Sequence, residues 1–189
     1  MYNENQIINN AAKAIQAGHT MLYPSDTIWG IGCDATNNES VNKIIEIKKR
    51  AASKGLIVLV DSIQQLLKYV ETLSEQAITL IQTYPTAVTI VYQNPKNIAT
   101  AALAADGSIA IRVCKFHFLN QIIAEANVPL LSTSANMTGE ATPAHLYQID
   151  HEIRNAVDYV IEHPNYLQLE NNPSRIVRFD ANNELVILR

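Results

Sequence analysis

The sequence has few of the residues that mark disulfide scaffolds, metal sites or membrane spans. It contains two cysteines, Cys33 and Cys114, too few and too far apart for a disulfide framework or a zinc site. We therefore expect two small buried residues in a reducing compartment. The longest apolar runs, such as 56–60, are far shorter than the roughly 20 residues that span a bilayer. Since no targeting segment is visible at the N-terminus, the expected location is cytoplasmic, without membrane contact.

Positive charge and aromatic residues are also scarce. The formal net charge is −4 and aromatic residues make up 6% of the chain, whereas tight non-specific binding of nucleic acids needs an extended basic face. The glycine-rich phosphate-binding patterns GxxxxGK[ST] and GxGxxG do not occur. The two commonest sequence signatures of nucleotide binding are therefore missing, and any nucleotide site must be built differently.

Helical and strand patterns alternate along the whole chain without a repeat or a linker. This alternation predicts an α/β fold with a single domain over residues 1–189, in which helices flank a mixed sheet. Predicted helices cover 7–18, 62–70, 75–83, 119–126 and 145–155, and a further helix, the second along the chain, is capped by Asn37 or Asn38 and ends at the basic cluster 48–50. Predicted strands cover 20–23, 56–60, 87–92, 108–113 and 130–132, with three more near Val160, Ile176 and Val186. Residues 24–34 are predicted to form a long loop, and residues 98–106 are ambiguous.

A cluster of hydroxyl groups follows one predicted strand. Ser132, Thr133, Ser134 and Asn136 come directly after an apolar stretch. Hydroxyl and backbone N–H groups gathered at the end of a strand can bind phosphate or carboxylate oxygens. The same residues also favour ordinary turns, so the cluster by itself leaves both interpretations open.

Cations occur in two unusual places. Lys48, Lys49, Arg50 and Lys54 follow the second predicted helix, where they either complement the helix dipole or bind a polyphosphate. Arg112 interrupts an apolar strand pattern. A buried arginine needs a partner, which is either a structural carboxylate of the protein or the carboxylate of a substrate.

Taken together, the polar segments resemble the YrdC family of threonylcarbamoyl-AMP synthases. The motifs occur in the family's order along nearly the whole chain, which matches the short, single-domain form. They are YPSDTIWGIGCDA (23–35), KKRA followed by KGLIVLV (48–60), SIAIRV (108–113), STSANMTG (132–139), NPSRIVRF (172–179) and LVILR (185–189). The chain departs from the family pattern at Leu59, where many members have His, and at Ala51, Thr86 and Ala87.

The resemblance implies a twisted mixed sheet with flanking helices around a large, positively charged cavity. It implies the synthesis of threonylcarbamoyl-AMP and pyrophosphate from L-threonine, bicarbonate and ATP. Partner proteins would then transfer the threonylcarbamoyl group to tRNA as N6-threonylcarbamoyladenosine. Two alternatives remain at this point, a non-catalytic RNA-binding or maturation factor and a diverged paralogue with another substrate.

The resemblance also assigns roles to individual residues. Lys48 and Arg50 would be catalytic, and Thr27, Arg112 and Ser132 would bind threonine. The ATP-binding residues would be Lys48, Arg50, Lys54, Ser108, Ser134, Asn136, Thr142 and Ser174. Mg²⁺ would be held mainly through the phosphates of ATP, with no protein ligand assigned. Contact with RNA is expected to be weak.

Overall fold

A nine-stranded mixed sheet organises the fold in the computed structural model, which describes residues 3–49, 56–166, 173–180 and 182–189. The strand order is β7-β1-β2-β6-β3-β5-β4-β8-β9. The strands are β1 (Met21–Tyr23), β2 (Gly30–Asp34), β3 (Ile57–Val60), β4 (Val88–Tyr92), β5 (Ile109–Val113), β6 (Leu130–Ser134), β7 (Tyr159–Val160), β8 (Arg175–Phe179) and β9 (Leu185–Ile187). The pairs β1–β7, β3–β5 and β4–β8 are parallel and the others are antiparallel. The predicted mixed α/β architecture is confirmed.

Helices cover both faces of the sheet. They are α1 (Glu4–Gln16), α2 (Asn38–Ile47), α3 (Ile63–Leu66), α4 (Glu75–Thr83), α5 (His117–Ala126) and α6 (His151–Ala156), with single 3-10 turns at Thr100–Ala102, Leu146–Gln148 and Pro164–Tyr166. Asn37 caps α2, because its side-chain oxygen accepts hydrogen bonds from the amides of Glu39 and Ser40. Ser62 and Ser74 cap α3 and α4 in the same way.

The core has two parts, one on each face of the sheet. On the first face, α1 and α5 pack over Met21, Tyr23, Leu59 and Leu130. On the second face, a larger cluster includes residues of α2, α4 and α6 together with the alternate strand residues. Helices α1 and α5 contact each other and cover only one end of the first face. The other end of that face carries the polar residues described below.

The prediction of a loop over residues 24–34 is wrong for its second half, because residues 30–34 form strand β2 between β1 and β6. Glycines weaken a strand pattern, but here they fill space that no side chain can enter. A Cβ on Gly32 would lie 1.8 Å from the carbonyl oxygen of Leu131. A Cβ on Gly30 would lie 3.0 Å from the ring of Tyr23. The glycines therefore permit close packing and do not signal a loop.

Other element boundaries also differ from the predictions. Strand β6 runs on to Ser134, two residues further than predicted. The helix predicted over 62–70 is shorter, because α3 forms a single turn that ends at Leu66, and Leu67 just beyond it is 52% exposed. One turn is too short to sustain an apolar stripe at helical spacing. The predicted helix over 145–155 divides into a 3-10 turn and α6.

The two cysteines are free and buried, as predicted. Burial raises the pKa of Cys114 to about 12, so this thiol is inert at neutral pH. In the described part of the chain, no helix is long and apolar enough to cross a membrane.

Candidate active site

Most of the polar residues singled out in the sequence line one pocket on the first face of the sheet. The pocket has a volume of about 140 Å³, below the roughly 300–1,000 Å³ of pockets that enclose drug-sized ligands. Its described lining consists of Ser25, Thr27, Ile28, Ile57, Arg112, Ser132, Thr133, Ser134, Thr142, Pro173, Ser174 and Arg189. This set brings together all three predicted threonine-binding residues and three of the predicted ATP-binding residues.

Strand register explains why residues so far apart in sequence meet here. Ser132 of β6 lies opposite Ile57 of β3, and Arg112 of β5 lies opposite Leu59. Side chains two residues apart on a strand share a face, so Ser132, Ile57 and Arg112 all belong to the face covered at one end by α1 and α5. Leu59, where many family members have His, lies under those helices and is fully buried.

Arg112 is the buried cation of the pocket. Its side chain is 2% exposed, and its Nη2 lies 3.2 Å from Oδ1 of Asp26. Its Nη1 donates to Oγ1 of Thr27 at 3.3 Å. Its Nε, also buried, has no hydrogen-bond partner among the described residues. A guanidinium offers five N–H donors, so Arg112 retains capacity for an anionic ligand.

The loop after β1 holds Thr27 next to this arginine. The hydroxyl of Ser25 donates to the carbonyl of Ile28 at 2.7 Å and accepts from the amides of Thr27 and Ile28. The hydroxyls of Ser25 and Thr27 are 2.9 Å apart. This compact turn fixes the Thr27 hydroxyl between Ser25 and Arg112, where it can contact a ligand.

A second polar group closes the opposite side of the pocket. The hydroxyl of Ser174 pairs with that of Thr89 at 2.8 Å, and both side chains are buried. The guanidinium of Arg189 donates to the carbonyl oxygen of Ser174 at 3.2 Å. The pocket is therefore lined by two arginines and several hydroxyls, with no Asp or Glu among its described lining residues.

Three of the predicted residues lie apart from this pocket. Ser108 shares the sheet face of Arg112 by strand alternation, but its hydroxyl donates to Asp106 at 2.6 Å and it lies outside the lining. Lys48 and Asn136 contact each other beside the pocket, through the side-chain ammonium of Lys48. Arg50 and Lys54 lie outside the described residues.

The sequence prediction omitted two lining residues that had visible signals. Ser25 was the hydroxyl residue retained in the YPSDT motif, and it proves to organise the turn around Thr27. Arg189 ends the LVILR segment, and its side chain reaches back to the pocket from beyond β9. Arg189 could not be assigned to the pocket until β8 and β9 were placed.

The sheet face next to the pocket is apolar and only partly covered. Ala110 pairs with Val91, and Ile176 lies diagonally from Val91, opposite Thr89; Ala110, Val91 and Ile176 are half-buried. Such a surface suits a flat, apolar ring system better than a charged group. The pocket and this surface together offer an anionic subsite and an adjacent apolar subsite.

A divalent cation bound by protein ligands does not fit the described donor set. Among the described residues, no group of three or more His, Cys, Asp or Glu side chains could hold a metal ion. Hydroxyls and guanidiniums instead suit an anion. The donor set is compatible with a Mg²⁺ ion whose ligands are mainly phosphate oxygens and water.

The fold and pocket define an α/β protein with a pocket of arginines and hydroxyl groups on one face of a mixed sheet. The profile of the Sua5/YciO/YrdC family, described as "Telomere recombination", matches residues 13–189. The chain therefore belongs to this family.

Curated relatives carry an enzyme name. The chain is 34% identical to the threonylcarbamoyl-AMP synthase of Vibrio campbellii, over 68% of this chain and 71% of that protein. It is 31% identical to the one from Wigglesworthia glossinidia brevipalpis, over 86% of this chain and 84% of that protein. A synthase of an AMP derivative is a nucleotidyltransferase-type enzyme, so this chain is a member of an enzyme family.

Solved structures share the fold. P. abyssi Sua5 complexed with L-threonine superposes on the whole chain with a TM-score of 0.85 and 22% identity. This chain spans a little over half of that protein, 55% of its length. E. coli YciO superposes with a TM-score of 0.83 and 21% identity, over all of this chain and 90% of its own.

Proposed function

We propose that the protein synthesises threonylcarbamoyl-AMP from L-threonine, bicarbonate and ATP, as a step toward N6-threonylcarbamoyladenosine in tRNA. The observation that carries the proposal is the pocket in which Arg112, Thr27 and Ser132 converge, because its size and chemistry suit an amino acid with a hydroxyl group. The names of the curated relatives and the L-threonine bound to P. abyssi Sua5 support it.

The threonine subsite is built around Arg112. The substrate carboxylate would accept from the Nε–H of Arg112, which has no partner among the described residues. The hydroxyls of Thr27 and Ser132 line the same pocket and would hydrogen-bond the polar groups of threonine. A site that pairs a buried hydroxyl with the substrate hydroxyl disfavours an analogue without it, since a polar group would be left unpaired.

The ATP subsite would occupy the rest of the pocket and the adjoining sheet face. Ser134, Thr142, Ser174 and Arg189 belong to the same lining and would bind the phosphates. The half-buried surface around Ala110 would contact adenine, with Ser108 two residues before it in the chain, and Asn136 would bind ATP from beside the pocket. Mg²⁺, carried by the phosphates, would offset their negative charge. Arg50 and Lys54, proposed as further phosphate ligands, lie outside the described residues.

The reaction would proceed in two steps with little covalent involvement of the protein. The neutral amine of threonine attacks the carbon of bicarbonate, and loss of water gives the carbamate anion. A carbamate oxygen then attacks the α-phosphorus of ATP, and pyrophosphate leaves with the bridging oxygen. Catalysis of such a phosphoryl-type transfer rests on positioning and on stabilisation of negative charge, which arginines and oriented hydroxyls supply.

The direct test incubates the purified protein with ATP, Mg²⁺, bicarbonate and L-threonine. Pyrophosphate release is followed continuously, and the adenylate product is identified by mass spectrometry. Release that depends on both threonine and bicarbonate is expected. Release without threonine, or none at all beside an active relative, would overturn the proposal. Transfer to tRNA by separate partner proteins is a further part of the proposal, to be tested by adding those proteins and tRNA to an active reaction.

A further inference from the structure

The ammonium group of Lys48 is enclosed by one loop of the protein. Its side chain is 2% exposed, although Lys48 directly follows the last residue of α2. Its Nζ donates to the carbonyl oxygen of Ser134 at 2.6 Å. It also donates to the carbonyl oxygen of Asn136 and lies 3.4 Å from Oδ1 of the same residue. An ammonium group has three N–H donors, and these three oxygens lie within hydrogen-bond reach of it.

The same loop also bonds back to the main chain of Lys48. The hydroxyl of Thr138 donates to the carbonyl oxygen of Lys48 at 3.0 Å, which uses one of the carbonyls left over at the end of α2. The Lys48 carbonyl and ammonium thus hold two points of the loop. Within the loop, the side-chain amide of Asn136 donates to the carbonyl of Glu140 at 2.6 Å. We call residues 134–142 the clamped loop.

The clamped loop carries groups that line the pocket, whereas Lys48 does not. Ser134 begins the loop and Thr142 ends it, and both belong to the pocket lining. The amide of Ala135 donates to the carbonyl of Trp29 at 2.9 Å, so the loop is also anchored to the start of β2. Any shift of its backbone would therefore move the side of the pocket that contains Ser134 and Thr142.

We propose that Lys48 is a positioning residue, which fixes the clamped loop through its carbonyl oxygens and does not itself bind phosphate. This inference rests on the proposed function for the identity of the ligand, but the geometry of the clamp does not. It revises the role that the family resemblance gave to Lys48. A buried cation held by backbone oxygens sets the loop before substrate arrives, so the ordering cost of binding is reduced.

The test is amide hydrogen exchange of the unliganded protein, compared between the native chain and Lys48→Met. The Ala135 and Glu140 amides report on the loop, because each makes a backbone hydrogen bond, to Trp29 and Met137 respectively. We expect their exchange to be faster by about tenfold or more in the variant, since local opening becomes easier. Lys49→Met is the matched control, because Lys49 is its exposed neighbour and pairs with Glu152 at the surface. Unchanged exchange at both amides would overturn the proposal.

A second variant keeps the test decisive if Lys48→Met does not fold. Thr138→Val is nearly isosteric and removes the hydrogen bond to the Lys48 carbonyl while the charge remains. The proposal predicts faster exchange at the same amides in this variant. Unchanged exchange in Thr138→Val would show that the bond to the Lys48 carbonyl does not hold the loop, and would contradict the proposal.

Binding measurements separate positioning from a general structural role. With Lys48→Met, we expect ATP affinity to fall by about tenfold or more, as for loss of an oriented binding group. L-threonine affinity, measured without ATP, should stay within about twofold, since Thr27 and Arg112 lie off the clamped loop. A parallel fall in both affinities would indicate loss of structure and contradict the proposal. If the native protein binds neither ligand, the proposed function fails, and the exchange experiment still decides the role of Lys48.

Discussion

Arg112 fills one of the two roles between which the sequence could not choose, and its position is compatible with the other. It makes an ion pair with Asp26, and it also lines the pocket, with a buried Nε that has no described partner. Asp26 is not part of the pocket lining, so it contacts the guanidinium from outside the pocket. An internal carboxylate offsets the cost of burying the cation and orients its planar group. The two alternatives were therefore not exclusive.

Arg112→Gln should abolish most of the affinity for threonine. Hydrogen bonds to charged groups contribute about 1.5–3 kcal/mol, so we expect the dissociation constant to rise by about 10- to 150-fold. Isothermal titration of L-threonine into the purified variant measures this change. Arg178→Gln is the matched control, because Arg178 lies on the same sheet face but is exposed and outside the pocket lining. Equal affinities in the native protein and Arg112→Gln would refute the carboxylate role.

Gly32→Ala should be among the most destabilising single substitutions in the sheet. The added methyl would lie 1.8 Å from the carbonyl oxygen of Leu131, so β2 and β6 must separate. We expect a loss of about 3 kcal/mol or more in the free energy of unfolding, the upper range for overpacking. For comparison, Gly107→Ala has open space but a φ of +77°, and should cost only about 1–2 kcal/mol. Urea unfolding of both variants gives the comparison, and equal losses would contradict the packing explanation.

At the scale of elements, the sequence predicted those whose pattern arises from local chemistry. Helix α4 was predicted at its observed bounds, 75–83, and a cap at Asn37 or Asn38 was predicted for α2, whose cap is Asn37. Strand β2 was missed because its two glycines are required by close contacts with Tyr23 and with Leu131, which lies on a strand about 100 residues further along the chain. No local pattern encodes such a contact. The length of α3 was likewise set by packing and not by its apolar residues.

One edge of the sheet is joined to α2 through Asp158. Its carboxylate accepts from the amide and hydroxyl of Thr20 and from the ammonium of Lys43. Burial alone raises the pKa of Asp158, but these hydrogen bonds outweigh it and lower the pKa from 3.8 to about 2. A carboxyl group whose pKa is lowered by folding contributes stability above its unfolded pKa. This contribution is lost as pH falls through the folded value.

Asp158→Asn should therefore weaken the acid sensitivity of the fold. We expect the native protein to lose stability more steeply than the variant between about pH 4 and pH 2, the window set by the unfolded and folded pKa. Urea unfolding at a series of pH values measures the difference. Glu71→Gln is a suitable control, because Glu71 makes only an exposed pair with Lys96 at 3.9 Å. If the variant and native curves stayed parallel over this window, the linkage to Asp158 would be wrong.

At the scale of the whole molecule, the motifs predicted which segments meet at the site but not how the individual side chains are arranged there. Their order along the chain pointed to the right family and gathered Thr27, Ser132 and Ser174 into one pocket. The motifs alone could not separate residues that face the pocket from those that hold its walls. Lys48 and Ser134 belong to different motifs that meet in space, yet among the described lining residues only Ser134 is found. That distinction depends on backbone carbonyls, which carry no sequence signal.

The first face of the sheet has a consequence for how the protein responds to its ligands. Helices α1 and α5 cover only one end of this face, and Ala110, Val91 and Ile176 at the other end are half-buried. A bound nucleotide would cover these apolar residues. Its binding would therefore stabilise the folded state relative to the unfolded state. At 100 times its dissociation constant, a ligand adds about 2.7 kcal/mol to the free energy of unfolding. The melting temperature should rise with ATP concentration, and a melting temperature independent of ATP would show that this face stays solvated.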